Sequence, residues 1–274
     1  MVTLSVCLEP LFPQLPVEER IARIAAAGFA SVEFWHPEGT WDGHGICTEW
    51  AKNAASLRRA CDRYGVLLND FALHAWDGSI GGSPVRPQDR ARFIAQICHM
   101  IAFAAEAGCR QGIVLSGTVD PALSRQQMRK HLEDALAEAV ALAEQADFTL
   151  LLEPLNTLVD HPGYYLDSSR EAVEIVRAVG SPRLKVLYDI YHMQIMEGNL
   201  LATIEQNLPW IGHFHAAGVP GRGELFGSEL NYPAILAKIA TLGYEGSFGL
   251  EYFPRLGDHD QSLRKTLEYL ASAP

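Results

Sequence analysis

From Val17 onward the chain keeps one rhythm: apolar residues spaced three and four apart, a Gly or Pro stop, then a short run of aliphatic and β-branched residues. The first period is that of a helix with one buried face, and the run after it is that of a buried strand. In VEERIARIAAAGF, Ile21, Ile24 and Ala25 share a face and the pattern stops at Gly28, where SVEFW begins. The same alternation recurs in WAKNAASLRRACDRYG with VLLNDFAL, RARFIAQICHMIAFAAEAG with GIVLSG, and RQQMRKHLEDALAEAVALAEQA with FTLLLEP. It continues in SREAVEIVRAVG with LKVLYDIYH, LLATIEQNL with WIGHFHAAG, and YPAILAKIATLG with SFGLEYF, before a last helix, DQSLRKTLEYLAS. Strands are therefore predicted near residues 3–8, 31–35, 66–71, 112–116, 149–153, 185–189, 211–215 and 247–252. Apolar runs alternating with helices predict a parallel sheet covered by helices. Eight such units in 274 residues, with no G-x-G-x-x-G after the first strand, favour a closed (β/α)₈ barrel over an open doubly wound sheet. No Pro/Ser-rich linker interrupts the pattern, so residues 1–274 read as one α/β domain.

A chain of this length can bury a large core without disulfides or a structural metal. Lys+Arg total 22 and Asp+Glu 33, a net charge of −11. With no basic stripe to offset that charge, nucleic acid is not an expected partner. No apolar run approaches the ~20 residues that cross a bilayer, and the opening MVTLSVCLEPLFPQLP lacks the basic start of a signal peptide. The five cysteines, Cys7, Cys47, Cys61, Cys98 and Cys109, are odd in number and unclustered. They are expected to be buried thiols of a reducing cytoplasm.

The C-terminal ends of barrel strands ring the active-site mouth. That position is occupied by Glu153 in TLLLE, Asp189 in KVLYD, His215 in IGHFH and Glu251 in FGLE. A charge at the end of a core strand is costly unless it is paired or metal-bound. A single such carboxylate reads equally well as a helix cap. Four at matching positions predict one divalent ion of the hard, oxygen-seeking kind, Mg²⁺ or Mn²⁺ with Co²⁺ as third candidate. His213, two residues before His215, shares its face and reads as a core histidine. Three further residues surround the ring: His192 in the loop leaving the Asp189 strand, Asn156 in PLNT after Glu153, and Arg222 in the Gly/Pro loop AAGVPGRGEL. Arg and His can hold the hydroxyl or carboxylate oxygens of a small substrate. Two glutamates flanking a metal point to proton transfer at a carbon next to a carbonyl, ending in isomerisation or epimerisation. Phe34, Trp35, Trp76 and Tyr252 are candidates for pocket walls or for packing, His36 and His74 take no role, and the Gly/Pro-rich segment of residues 74–90 is a candidate lid.

EPLNTLVDHPGYYL, LYDIYHM and HFHAAGVPGRGELFGSELNYPAIL resemble the xylose-isomerase-like TIM-barrel superfamily, in particular its hydroxypyruvate isomerase group. The ketose 3-epimerases are near neighbours, and the likeness runs from LEPLFPQLPVEERIARIAAAGFASVEFW to the final EYFP. The resemblance implies that Glu153, Asp189, His215 and Glu251 bind one divalent metal, with Glu153 and Glu251 the acid/base pair. It also implies that His192 and Arg222 position the substrate's oxygens, and that the protein forms dimers or tetramers. His215 stands where hydroxypyruvate isomerases often carry Gln, as in the epimerases. Asn156-Thr157-Leu158-Val159 lacks the extra carboxylate of the epimerase segment, and PGRGEL and ELNY lean back to the isomerases.

Overall fold

The computed structural model describes residues 2–44 and 46–272. Eight parallel strands form the barrel, and in chain order β1 is Thr3–Cys7, β2 Ser31–Phe34, β5 Leu67–Phe71 and β6 Gln111–Leu115. The remaining four are β7 Thr149–Glu153, β8 Leu184–Asp189, β9 Ile211–Ala216 and β10 Ser247–Leu250. Each lies within two residues of the expected run. Between β2 and β5 the chain makes a short antiparallel pair, β3 (Thr40–Trp41) with β4 (Ile46–Cys47), which the hydrophobic pattern does not announce.

The strands are hydrogen-bonded in the order β5-β2-β1-β10-β9-β8-β7-β6. The ring closes through one parallel bridge, Ala72 to Ile113, beside which the Leu73 N–H donates to the Ile113 carbonyl at 2.9 Å. The fold is thus a TIM barrel. Helices α1 (Val17–Ala26), α2 (Ala54–Tyr64), α3 (Arg90–Ala107), α4 (Arg125–Gln145) and α5 (Ser169–Val179) cover the first half of the sheet. After β8 come α6 (Ile190–Met196) and α7 (Leu200–Asn207), then α8 (Tyr232–Thr241) and α9 (His259–Ala271). None is long and apolar enough to cross a membrane. Their starts follow local chemistry: Ser124 and Gln127 form a reciprocal capping box on α4, and Asp258 caps α9 through the Gln261 N–H.

Helix α6 corrects one expectation. His192 is in the first turn of a helix rather than in a loop, and Asp189 caps that helix by accepting from the His192 N–H at 3.1 Å. The segment of residues 74–90 is also not a free flap. His74, Ser83 and Val85 are buried, and Arg92 donates to the Gly78 carbonyl. Ser83 N donates to Asp89 Oδ2 at 3.1 Å and Arg86 Nη2 to Thr118 Oγ1 at 2.7 Å. Cys7, Cys61 and Cys109 are buried free thiols as expected, whereas Cys98 is exposed on α3.

Candidate active site

Parallel strands bring their last residues to one rim, and four of those residues meet there. His215 Nδ1 lies 3.4 Å from Glu251 Oε2 and 3.9 Å from Glu153 Oε1. Asp189, His215 and Glu251 each offer a ligand atom within 4.8 Å of the other two, and Glu153, Asp189 and His192 do the same. All four rim residues are at least 94% buried.

Their partners differ. Glu251 is clamped, with the Trp35 indole N–H donating to Oε1 at 2.5 Å and Arg222 Nη2 to Oε2 at 2.6 Å. Glu153 receives no hydrogen bond on its carboxylate among the described contacts; the Tyr164 hydroxyl donates instead to its backbone carbonyl at 2.9 Å. The electrostatics follow. Burial raises Glu153 well above the usual carboxylate range, with Asp189 and Glu251 adding to the shift against His215. Burial likewise lifts Asp189 to about 6, opposed by His215 and Arg222. Burial would also raise Glu251, but Arg222, His215 and Trp35 outweigh it and hold the group well below the normal value. His215 is raised well above an ordinary imidazole because Glu33 and Glu251 overcome its desolvation. This is an acidic cluster short of positive charge.

Three carboxylates and an imidazole suit a divalent cation. Among the described residues the Nδ1 of His215, which faces Glu153 and Glu251, is buried without a hydrogen bond, and Glu153 is bare, so the residues fit such an ion.

His192 and Arg222 face this cluster from different elements. The Asn156 N–H donates to His192 Nδ1 at 3.2 Å, which leaves Nε2 as the protonated nitrogen. That Nε2 is buried without a hydrogen bond among the described residues and lies 3.5 Å from Asp189 Oδ2. Burial, with Arg222 nearby, pushes His192 well below its ordinary value and keeps it neutral. Arg222 sits in a left-handed backbone conformation, φ 56°, with its guanidinium 5.4 Å above the Tyr191 ring. Such a φ is uncommon for a residue with a Cβ. The loop is strapped in place by Phe253 N donating to the Arg222 carbonyl at 2.7 Å and Gly218 N to the Gly223 carbonyl at 2.7 Å.

Asn156 is placed differently. Its Oδ1 accepts from Val159 N (3.0 Å) and Asp160 N (2.9 Å), and its Nδ2 lies 2.6 Å from both Asp160 Oδ2 and His192 Nδ1. The buried amide is fully engaged in closing its own turn and holding His192. Of the four aromatic candidates, Trp35 touches the site directly, and Trp76 packs on His161, which packs on His192. Phe34 stacks on Phe71 in the core, and the Tyr252 hydroxyl pairs with Ser262 behind the barrel.

Sequence reasoning passed over Glu9, Lys52, Glu33 and Asp70. Lys52 Nζ is 2.7 Å from Glu9 Oε1, both side chains almost wholly buried, while Glu9 Oε2 accepts the Trp35 N–H at 3.0 Å. Glu33 and Asp70 lie inside the barrel against His213. Their signal was a charged residue in the middle of an apolar run, in SVEFW and VLLNDFAL.

The model of the xylose isomerase-like TIM barrel family matches residues 21–273. The chain is 34% identical to the 2-oxo-tetronate isomerase of Cupriavidus necator, over 87% of this chain and 88% of that one. It is 31% identical to the hydroxypyruvate isomerase of Escherichia coli, over 93% and 95%. A solved structure described as AP endonuclease, family 2, from Brucella melitensis superposes with a TM-score of 0.88 at 28% identity, covering 98% of this chain and 99% of that one.

Proposed function

Because the chain belongs to the xylose isomerase-like TIM barrel family, we propose that it is a metal-dependent isomerase of small hydroxy-2-oxo acids, with hydroxypyruvate and tartronate semialdehyde as the type pair. The observation that carries this reading is the pair of buried glutamates that meet at His215 Nδ1, one bare and one clamped by Arg222 and Trp35. The names of the relatives in Cupriavidus necator and Escherichia coli point to the same substrate class.

In the forward direction a proton leaves carbon 3 of hydroxypyruvate, a proton is added at carbon 2, and the hydroxyl proton passes from the carbon-3 oxygen to the carbon-2 oxygen. Glu153 and Glu251 are the groups that take and return the carbon-bound proton. His192, neutral and with Nε2–H turned inward, donates to a substrate oxygen. Arg222 offers its remaining N–H groups to the substrate's carboxylate, and its charge keeps Glu251 ionised. The burial of Glu153, Asp189, His215 and Glu251 limits the water that would otherwise compete for the carbon-bound proton. A divalent cation held by Glu153, Asp189, His215 and Glu251 would polarise the substrate's oxygens and offset negative charge as it develops.

The competing reading, a ketose 3-epimerase, draws on His215 and would use the same two glutamates to invert carbon 3 of a free ketose. Against it, Asn156-Thr157-Leu158-Val159 after Glu153 carries no carboxylate, and the next one, Asp160, is engaged by Asn156 Nδ2 at 2.6 Å and the Tyr191 hydroxyl at 2.8 Å.

The deciding experiment compares hydroxypyruvate turnover with carbon-3 inversion of ketohexoses, each with Mg²⁺, Mn²⁺ or Co²⁺ and after chelation. Turnover of hydroxypyruvate that is lost on chelation and in Glu251→Gln is expected. Inversion of ketohexoses without hydroxypyruvate turnover would transfer the assignment to the epimerases, and activity that survives chelation would remove the metal.

A further inference from the structure

Below the rim, Glu33 on β2 reaches across the barrel to β9. In the sheet these strands are separated by β1 and β10, so the contact runs through the interior. Glu33 Oε1 lies 3.2 Å from His215 Nε2 and its Oε2 lies 3.3 Å from His213 Nε2. Among the described residues no other polar group bonds either oxygen, and the side chain is 1% exposed. His213 is itself located by Asp70 Oδ2, 3.2 Å from Nε2, and by the Ser247 carbonyl, 3.0 Å from Nδ1. Asn69 Nδ2 in turn donates to Asp70 Oδ2 at 2.5 Å.

A second feature makes room for this meeting. Gly249 on β10 is paired in register with His215. A Cβ at that position would run into both Glu33 Oε1 and the His215 ring. Glycine weakens a strand interior, so its presence here marks a close approach.

An imidazole that binds a metal through one nitrogen generally donates its other N–H to a carboxylate or carbonyl, which sets the tautomer and the ring's orientation. We propose that Glu33 is a positioning residue for His215: it accepts from Nε2–H, so that the Nδ1 lone pair is turned toward Glu153, Asp189 and Glu251. Gly249 provides the space, and His213 with Asp70 anchors the carboxylate from behind. The metal half of this inference rests on the function proposed above; the tautomer half does not.

The test has two readouts. Long-range ¹⁵N correlation spectra of histidine-labelled protein, assigned with His215→Gln and recorded at alkaline pH where the raised imidazole has lost its second proton, report the tautomer without metal; Nε2–H on His215 is expected. Mn²⁺ titration by calorimetry reports affinity, and Glu33→Leu is expected to weaken binding by about 10- to 100-fold. Glu33→Gln, whose amide oxygen still accepts, should fall between that variant and wild type. If Glu33→Leu does not fold, Gly249→Ala serves in its place, since it wedges Glu33 from His215 without removing either. A predominant Nδ1–H tautomer in the wild type, or folded Glu33→Leu (or Gly249→Ala) with wild-type Mn²⁺ affinity, would overturn the proposal. If the wild type binds no Mn²⁺, the metal reading of the rim fails, and the tautomer spectra still decide the role of Glu33.

Discussion

Two donors grip the carboxylate of Glu251, the indole of Trp35 on one oxygen and the guanidinium of Arg222 on the other. Trp35→Phe removes the first donor while leaving a ring to pack against Trp41 and Phe253. A hydrogen bond to a charged group contributes about 1.5–3 kcal/mol. The variant is therefore expected to lose up to roughly 10- to 150-fold in kcat/KM for hydroxypyruvate, with a fall of a few degrees in melting temperature from the same lost bond. Steady-state kinetics beside a thermal scan checks both halves. Asn156 teaches the opposite lesson: polar, next to the ring in sequence and buried beside it in space, it spends every hydrogen bond on its own turn and on His192.

At the scale of elements, the loop from β9 to α8 carries Arg222 in its left-handed conformation and depends on close backbone contact. A methyl group at Gly218 would strike the backbone carbonyls of Glu224 and Gly223, which have nowhere to retreat while Gly218 N is bonded to the latter. Gly218→Ala is expected to displace Arg222 and lower kcat/KM by at least about tenfold, the equivalent of about 1.4 kcal/mol, because Arg222 then no longer meets Glu251. Kinetics of the variant decides it, and wild-type values would show that the loop tolerates the shift.

The eight strands and the four rim residues were legible because burial on both faces writes a strand as a continuous apolar run, and an acid or imidazole at its end stands out. Helix α6 was not, since seven residues hold too few turns to display a period. The β3–β4 pair escaped for the same reason at two residues per strand. Glu33 and Asp70 stayed hidden because a barrel interior joins residues from strands far apart in the chain, and no local pattern encodes that meeting.

For the whole molecule, acid stability turns on histidines that the fold keeps neutral. His74 is buried, accepts the Leu115 N–H at 2.9 Å, and is lowered by burial to about 3 from 6.5. Between those values the unfolded chain binds a proton that the native protein refuses, so stability falls as pH drops through this window. The slope for one such group is about 1.4 kcal/mol per pH unit. His74→Gln should be less stable than wild type at pH 7, and its deficit should shrink by roughly 2–3 kcal/mol between pH 6.5 and 4.5. Urea unfolding of both proteins across that range measures it; parallel curves would mean that His74 is protonated in the native state.

The closure of the ring has a bearing on how such a molecule breathes. Seven of the eight strand junctions are laced along several residues, and the eighth, where Ala72 meets Ile113, is fastened by a single stitch. A cylinder made this way does not loosen evenly. Its weakest seam lies between β5 and β6, on the far side of the ring from the β9–β10 junction, so slackening there is expected to leave His215 on β9 and Glu251 just after β10 joined.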